Sequence, residues 1–160
     1  MRKKNSLTLA LLLLLLFPSL SWAWSGQVVG VTDGDTITVL HEGRGEKIRL
    51  YGIDCPEKRQ AFGTRAKEAT SALVFGKVVE VEPVNVDRYG RTVALVTVGT
   101  TLVNEELVRE GFAWVYTRYC KRSVCRAWGL LEEEAREARR GLWADPYWVP
   151  PWEFRRQGRK

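Results

Sequence analysis

Apolar and polar residues alternate over five short stretches of this chain, several rich in β-branched residues, and this period of two is typical of β-strands. The predicted strands cover residues 27–32, 35–40, 47–53, 77–84 and 92–98. Asp33 and Gly34 are a turn signal between the first two strands, and the hydrophilic residues 42–46 indicate a hairpin loop before the third. We therefore expect the first three strands to follow one another as antiparallel hairpins.

Three other stretches carry apolar residues at helical spacing. The predicted helices cover residues 62–75, 103–110 and 126–140. Each is followed by a glycine, Gly76, Gly111 or Gly141, and glycine is a common residue just past a helix end. Five short strands with a helix after the third are the order expected of an OB-type barrel. The predicted fold is α+β, mainly β: a five-stranded OB-fold barrel with about three helices.

The first 23 residues have the layout of a secretory signal peptide. Residues 2–4 are basic, residues 7–17 are almost wholly apolar, and residues 21–23 place small side chains at the two cleavage-site positions. The apolar run is short for a membrane span, which needs about 20 residues, so an uncleaved anchor is the less favoured alternative. We expect cleavage after Ala23, a secreted or periplasmic protein, and no stable membrane association afterwards.

The chain beyond Ala23 is long enough for a single hydrophobic core. We expect a barrel domain at residues 24–143 and a basic tail rich in tryptophan and proline at residues 144–160. The prolines forbid a continuous helix in the tail, so it is predicted to be an irregular strap whose tryptophans pack on the barrel or on the last helix. The alternative is that these aromatic rings stack on nucleic-acid bases. Losing the signal lowers the formal net charge of +6 by three, and a mildly basic charge alone decides little.

Three cysteines and one histidine limit the covalent and metal chemistry of the chain. Cys120 and Cys125 are close enough in sequence to close a short loop, and export to an oxidising compartment favours a disulfide between them. Cys55 is then the unpaired thiol. The cysteines and His41 show no spacing typical of zinc sites, and a lone histidine near a predicted strand end is a poor candidate for a general base.

Four polar clusters lie near the ends of the predicted strands. They are residues 33–36, 49–50, 54–57 and 87–91. Each cluster alone is a weak signal, since an Asp-Gly pair is usually a turn and an arginine in a strand is usually solvated. Their combination is more specific, because it supplies every group that phosphodiester hydrolysis needs.

The chemistry of these clusters divides into two halves. Asp35 and Asp54 offer hard oxygen ligands for one divalent ion such as calcium or magnesium, and Glu57 can act as general base on a water molecule. Arg49 and Arg91 can each bind two oxygens of an attacked phosphate through paired hydrogen bonds. The clusters therefore predict a metal-assisted phosphodiesterase.

With these residues in place, the chain resembles the thermonuclease, or staphylococcal nuclease-like, family. The resemblance runs from about residue 28 to residue 143 and keeps the order and approximate spacing of all four clusters, together with residues 103–105 and 107–111. It implies calcium-dependent cleavage of DNA and RNA with little sequence preference, giving 3′-phosphate products. It also implies a monomer that acts preferentially on single strands.

The resemblance also implies individual roles. The calcium ligands are the carboxylates of Asp35 and Asp54 and the backbone carbonyl of Cys55, with Asp33 nearby through water. By the same resemblance Arg49 and Arg91 contact the phosphate, and Glu57 is the general base. Tyr89 and one of Tyr116 and Tyr119 contact the nucleotide. Cys55 replaces a threonine of the staphylococcal enzyme, and the segment from Cys120 to Cys125 and the tail have no counterpart there.

Two other classes of function compete with this hypothesis. One is an OB-fold module that binds single-stranded nucleic acid without cutting it, and the other is an exported barrel that binds calcium or an oligosaccharide. A pure binder does not require Glu57, and a calcium-binding barrel leaves the two arginines without a role. The sequence favours the nuclease.

Overall fold

The computed structural model describes residues 23–158, so the predicted signal peptide lies outside the described residues except for Ala23. Eight strands are present in the described part: β1 (Trp24–Asp33), β2 (Thr36–His41), β3 (Arg44–Leu50), β4 (Ile53–Asp54), β5 (Val78–Val86), β6 (Thr92–Val98), β7 (Thr101–Leu102) and β8 (Trp114–Val115). The helices there are α1 (Gly63–Val74), α2 (Val103–Arg109), α3 (Val124–Glu137) and α4 (Pro151–Gln157), with a 3-10 turn at Gly141–Ala144. None of these helices has the length and apolar character needed to cross a membrane.

Five of the strands form the predicted closed barrel. The sheet order is β3-β2-β1-β5-β6-β7, and a parallel pairing between β3 and β6 closes it. In that pairing Arg49 lies opposite Val93, two residues beyond Arg91. The closure therefore brings the two predicted phosphate-binding arginines to the same place on the barrel: Arg49 near the end of β3 and Arg91 just before β6.

The barrel interior consists mainly of alternating β-branched and leucine side chains from the strands, as the period of two predicts. Fully buried members include Val28, Ile37, Val39, Ile48, Leu50, Val79, Val81 and Val96. Helix α1 covers one end of this core with buried Ala66, Thr70 and Val74. The hydroxyl of Thr70 donates to the carbonyl of Gly34 at 2.6 Å, which ties the helix to the turn between β1 and β2.

The predicted third strand, residues 47–53, is divided in the structure. Strand β3 ends at Leu50, and a turn at Tyr51 and Gly52 separates it from β4. Gly52 has φ of +72°, and a Cβ atom there would lie 2.6 Å from the sulfur of Cys120. Glycine at this position lets the chain turn sharply, so that Asp54 points into the space beside Asp35 instead of continuing along the barrel.

Cys120 and Cys125 are joined by a disulfide with a Cα–Cα distance of 5.7 Å. The loop that it closes is tied to the same turn, because the hydroxyl oxygen of Tyr51 accepts hydrogen bonds from the backbone N–H groups of Lys121 and Arg122 at 2.7 and 3.0 Å. Cys55 is an unpaired, buried cysteine. Burial raises the pKa of its thiol far above the usual range, so the neutral thiol is the stable form.

The C-terminal tail differs from the predicted irregular strap, because residues 151–157 form helix α4. Pro151 occupies the first turn of this helix, where the missing backbone N–H has no helical partner to lose. The prolines therefore mark the start of a helix and do not exclude one. The tail tryptophans do pack on the domain, as predicted: the ring centroids of Trp114 on β8 and Trp148 are 5.0 Å apart, and the guanidinium of Arg136 on α3 lies 5.3 Å from the centre of the Trp148 ring.

Asn104 is a fully buried polar residue that connects helix α2 to the barrel. Its side-chain oxygen accepts from the backbone N–H of Val96 at 3.0 Å, and its side-chain nitrogen donates to the carbonyls of Tyr51 at 3.0 Å and Ala94 at 3.2 Å. These backbone groups have no water to replace a lost partner, so leaving them unpaired costs free energy. Asn104 thus fixes α2, β6 and the turn after β3 relative to one another.

We expect Asn104→Ala to lower the free energy of unfolding by about 3 kcal/mol, since it removes three buried hydrogen bonds. The carbonyl of Ala94 would still accept from the N–H of Tyr51, but the N–H of Val96 and the carbonyl of Tyr51 would lose the Asn104 side chain. Urea denaturation of the protein beginning at Trp24 measures this. The exposed Asn85→Ala is the matched control and should change stability by less than about 0.5 kcal/mol. Equal effects of the two substitutions would contradict the role given to Asn104.

The disulfide closes a short loop, and the chain-entropy model gives about 2 kcal/mol of stability for a loop of this size. We expect reductant to lower the unfolding free energy of the wild type by this amount and to leave a Cys120→Ser, Cys125→Ser double variant unchanged. Thiol labelling under denaturing, non-reducing conditions should modify one cysteine per chain. Three labelled thiols in protein recovered after export would contradict the pairing.

Candidate active site

One cleft of about 1070 Å³ is lined by nearly all of the residues predicted for the site. Those lining it are Asp33, Asp35, Arg49, Cys55, Glu57, Tyr89, Arg91, Tyr116 and Tyr119. Asp54 lies just beneath, with 1% of its surface exposed, and contacts Arg49 from below the cleft floor. The barrel thus brings together residues that the sequence places in four separate clusters.

The turn between β1 and β2 is held close to the segment that follows β4. A Cβ atom on Gly34 would lie 2.7 Å from the Cβ of Cys55 and 2.9 Å from the Cβ of Ala66, so only glycine allows this approach. The backbone N–H of Cys55 donates to Oδ2 of Asp35 at 2.7 Å. The carboxylates of Asp35 and Asp54 are therefore brought to the same point from two different parts of the chain.

Both carboxylates contact one guanidinium group. Arg49 donates from Nη2 to Oδ1 of Asp54 at 2.9 Å, and its Nη1 forms an ion pair with Oδ1 of Asp35. Asp35 is 4% and Asp54 1% exposed, and buried carboxylates are usually paired with a cationic group. Arg49, predicted on phosphate, is thus also the group that holds the two acids together.

The donor chemistry of this pair fits a divalent cation. Two ionised carboxylates that already converge on a positive charge are hard oxygen ligands of the kind that calcium prefers. Within residues 23–158 there is no cluster of three or more His, Cys, Asp and Glu side chains that could bind a metal, so further ligands would be backbone carbonyls and water. The protonated, buried thiol of Cys55 does not suit this role, which leaves its backbone carbonyl.

The loop between β5 and β6 positions Arg91 through Asp87, a residue for which no separate role was predicted. Oδ1 of Asp87 accepts from the backbone N–H groups of Tyr89 at 2.8 Å and Arg91 at 3.0 Å, and Oδ2 accepts from Nε of Arg91 at 2.7 Å. Burial opposes the charge on Asp87, but these hydrogen bonds dominate and lower its pKa below the usual value. An aspartate at the start of a turn commonly makes such bonds, and this preference could have predicted the role of Asp87 from the sequence.

The predicted nucleotide-contacting tyrosines differ in their exposure. Tyr89 is 67% and Tyr119 57% exposed, and the guanidinium of Arg88 lies 4.7 Å from the centre of the Tyr89 ring. Tyr116 is half-buried because Trp152 stacks on it, with ring centroids 4.9 Å apart and an angle of 7° between the planes. Two aromatic faces are thus open to the cleft, and the third is covered by the C-terminal tail.

Arg155, from helix α4, was not predicted for the site. Its Nη1 donates to Oε1 of Glu57 at 2.6 Å and to Oδ1 of Asp54 at 3.2 Å, and its Nη2 donates to Oδ2 of Asp54 at 2.7 Å. Burial disfavours the charged guanidinium, yet the bonds to the two carboxylates outweigh it and raise its pKa. Nothing local in the sequence connects a basic tail to Glu57, 98 residues earlier.

Comparison with known proteins agrees with this arrangement. The family model described as staphylococcal nuclease homologue matches residues 47–145. Protein ParB of Escherichia coli is 44% identical over 158 residues, covering 92% of this chain and 89% of that protein. A micrococcal nuclease of Shigella flexneri is 41% identical over 146 residues, 85% of this chain and 83% of that protein. An uncharacterized endonuclease of Escherichia coli O157:H7 is 44% identical over 131 residues, which cover 81% of this chain and 84% of that protein.

The relatives extend over most of the chain, and the family model spans the cleft residues from Arg49 to Tyr119. They support a nuclease function and agree with the resemblance that the four polar clusters indicated. The chain belongs to the staphylococcal nuclease homologue family.

Proposed function

We propose that the protein is an exported, calcium-dependent nuclease that hydrolyses phosphodiester bonds of DNA and RNA with little sequence specificity and releases 3′-phosphate products. The observation that carries the proposal is the convergence of Asp35 and Asp54 on one cationic group in the same cleft as Glu57 and Arg91. Relatives named micrococcal nuclease and endonuclease support the same class of reaction.

In this mechanism Asp35, Asp54 and the carbonyl of Cys55 would hold the calcium ion. When bound, calcium supplies positive charge that polarises a phosphoryl oxygen and makes a nearby water more acidic. Glu57 accepts the proton of the attacking water at a carboxylate oxygen. The water oxygen bonds to phosphorus while the bond from phosphorus to O5′ breaks, and O5′ takes a proton from solvent water. One product then ends in a 3′-phosphate and the other in a 5′-hydroxyl.

The two arginines act on the charge that develops at phosphorus. Arg91 is held by Asp87 through its Nε, and its Nη1 lies 3.5 Å from the hydroxyl oxygen of Thr36, so the guanidinium is already directed into the cleft. An oriented donor needs little rearrangement as the equatorial oxygens gain charge. Arg49 lies in the same cleft and could offer its guanidinium to the same phosphate.

The rim of the cleft suits an unpaired strand. Tyr89 and Tyr119 expose their rings there, and Arg88 and Arg118 lie over them at 4.7 and 5.7 Å. Aromatic faces stack on bases of any sequence, and the arginines attract the backbone, so we propose a preference for single-stranded DNA and RNA with little sequence selection. The protein is proposed to act as a monomer in a secreted or periplasmic location, where its disulfide can persist.

The direct test is incubation of the protein beginning at Trp24 with single-stranded DNA and RNA, in calcium and in a calcium chelator. We expect both polymers to be cut in calcium only, and end-group analysis to find 3′-phosphates. Binding of either polymer without cleavage in calcium would overturn the proposal in favour of an OB-fold binding module. Cleavage that persists in chelator would overturn the role given to calcium.

We expect Arg91→Lys to lower kcat/KM by about 10²-fold, because a lysine cannot bind Asp87 and two phosphate oxygens at the same time. The matched control is Arg44→Lys, an exposed arginine on β3 outside the cleft, which should change kcat/KM by less than about twofold. Steady-state kinetics on a single-stranded oligonucleotide provide the measurement. Similar losses in the two variants would argue against a role of Arg91 at the phosphate.

A further inference from the structure

Helix α4 places two side chains into the proposed active site. Arg155 binds Asp54 and Glu57, and Trp152 stacks on Tyr116. These partners are one proposed calcium ligand, the proposed base and one predicted nucleotide-contacting tyrosine. The tail therefore contacts three different parts of the proposed machinery through two residues of one short helix.

The contacts of Arg155 are incompatible with the proposed roles of their partners. Its guanidinium lies on both carboxylate oxygens of Asp54, at 3.2 and 2.7 Å, and on Oε1 of Glu57 at 2.6 Å. A calcium ion needs an oxygen of Asp54 at bonding distance, and water needs access to Glu57. A calcium ion bonded to Asp54 would lie directly against the guanidinium of Arg155, where like charges repel and the same oxygens are needed by both, so Arg155 and calcium compete for them.

Trp152 occupies a place that a base would need. Its ring is nearly parallel to that of Tyr116, with an angle of 7° and a centroid distance of 4.9 Å, which is the arrangement of an unpaired base on an aromatic platform. While this stack persists, that face of Tyr116 cannot receive a nucleotide. The tail thus covers the base-stacking position next to the metal position.

Helix α4 docks on the domain through specific packing. Pro151 is buried, and the ring of Trp152 lies 5.7 Å from that of Trp114, which also contacts Trp143 and Trp148 and so forms the tryptophan cluster. Gln60 joins the tail to the active-site loop, because its side-chain oxygen accepts from the backbone N–H of Glu57 at 3.0 Å and its nitrogen donates to the carbonyl of Val149. Arg155 is therefore delivered to the carboxylates by specific packing.

We propose that helix α4 is an autoinhibitory clamp that closes the active site and is displaced by calcium together with single-stranded nucleic acid. The proposal rests on the proposed function of the same site. Arg155 acts as an internal cation on the metal carboxylate, and Trp152 acts as an internal substitute for a base. Calcium binding must then include the free energy of releasing Arg155, which weakens the apparent affinity for calcium.

The first test is calorimetric titration of calcium into the full mature chain. We expect Arg155→Gln to bind calcium about tenfold more tightly than the wild type, a difference of about 1.4 kcal/mol. The matched control is Arg156→Gln, which removes the same charge from the next residue. Within residues 23–158 the Arg156 guanidinium forms an ion pair with Glu153 alone, at 3.7 Å. That variant should change the affinity by less than about twofold. Unchanged or weaker calcium binding by Arg155→Gln would overturn the clamp.

The second test measures release of the helix in the wild type. Backbone amides of residues 153–158 should exchange their hydrogens faster when calcium and a single-stranded oligonucleotide are bound, and amides of helix α1 should not. A general stabilisation or destabilisation of the protein by the bound ligands would change the exchange of both helices and would not produce this difference. Protection of α4 that stays the same in the loaded protein would contradict displacement.

The outcomes separate the clamp from the proposed function. Tighter calcium binding by Arg155→Gln without cleavage of any polymer would overturn the nuclease proposal and support the clamp as a gate on a metal site. Calcium-dependent cleavage with equal calcium affinities in wild type and Arg155→Gln would overturn the clamp and support the nuclease. If Arg155→Gln melts at a much lower temperature than the wild type, Arg155→Lys is used in its place. We expect this variant to bind calcium more tightly than the wild type, but by less than the tenfold expected for Arg155→Gln.

Discussion

Two carboxylates with almost no exposed surface lie side by side in this protein, and most of the site follows from what their charges require. Asp35 and Asp54 would repel one another in a poorly solvated space, and each would lose most of its hydration there. A positive group between them removes both difficulties. Arg49 provides it, and its planar fork can contact one acid with each terminal nitrogen. The two buried carboxylates therefore require positively charged groups beside them.

The barrel topology delivers these charges with short connections. Strands β2 and β3 are antiparallel, with Thr36 opposite Arg49, so the acid just before β2 lies next to the end of β3. The parallel pairing of β3 with β6 then brings the loop that carries Arg91 to the same edge. A closed barrel leaves little freedom in these positions, because a register shift of one residue would turn Arg49 into the core. The geometry of the site is thus a consequence of strand register.

Much of this could be predicted from the sequence because it depends on local pattern. Alternation predicted the five barrel strands, and the resemblance carried by the four clusters predicted the family. The division of the third strand was missed, since it depends on Gly52 facing Cys120, a contact between distant residues. Helix α4 was missed because it spans only seven residues and begins at the second of two consecutive prolines. Arg155 had no local signal, and its role follows only from how the tryptophan cluster directs the tail.

The presence of a second arginine at the acids has an electrostatic reason. Asp35, Asp54 and Glu57 together carry one more negative charge than Arg49 and Arg155 supply, and removing Arg155 would leave a strongly negative cleft floor. Such a floor attracts calcium but repels the phosphodiester backbone of a substrate. With Arg155 in place these five groups sum to a charge of −1, and with calcium in place of Arg155 and Arg49 retained they would sum to zero. Exchange of a monovalent guanidinium for a divalent ion would therefore remove the remaining negative charge that repels a nucleic acid, so that under the proposed function metal binding would favour substrate binding.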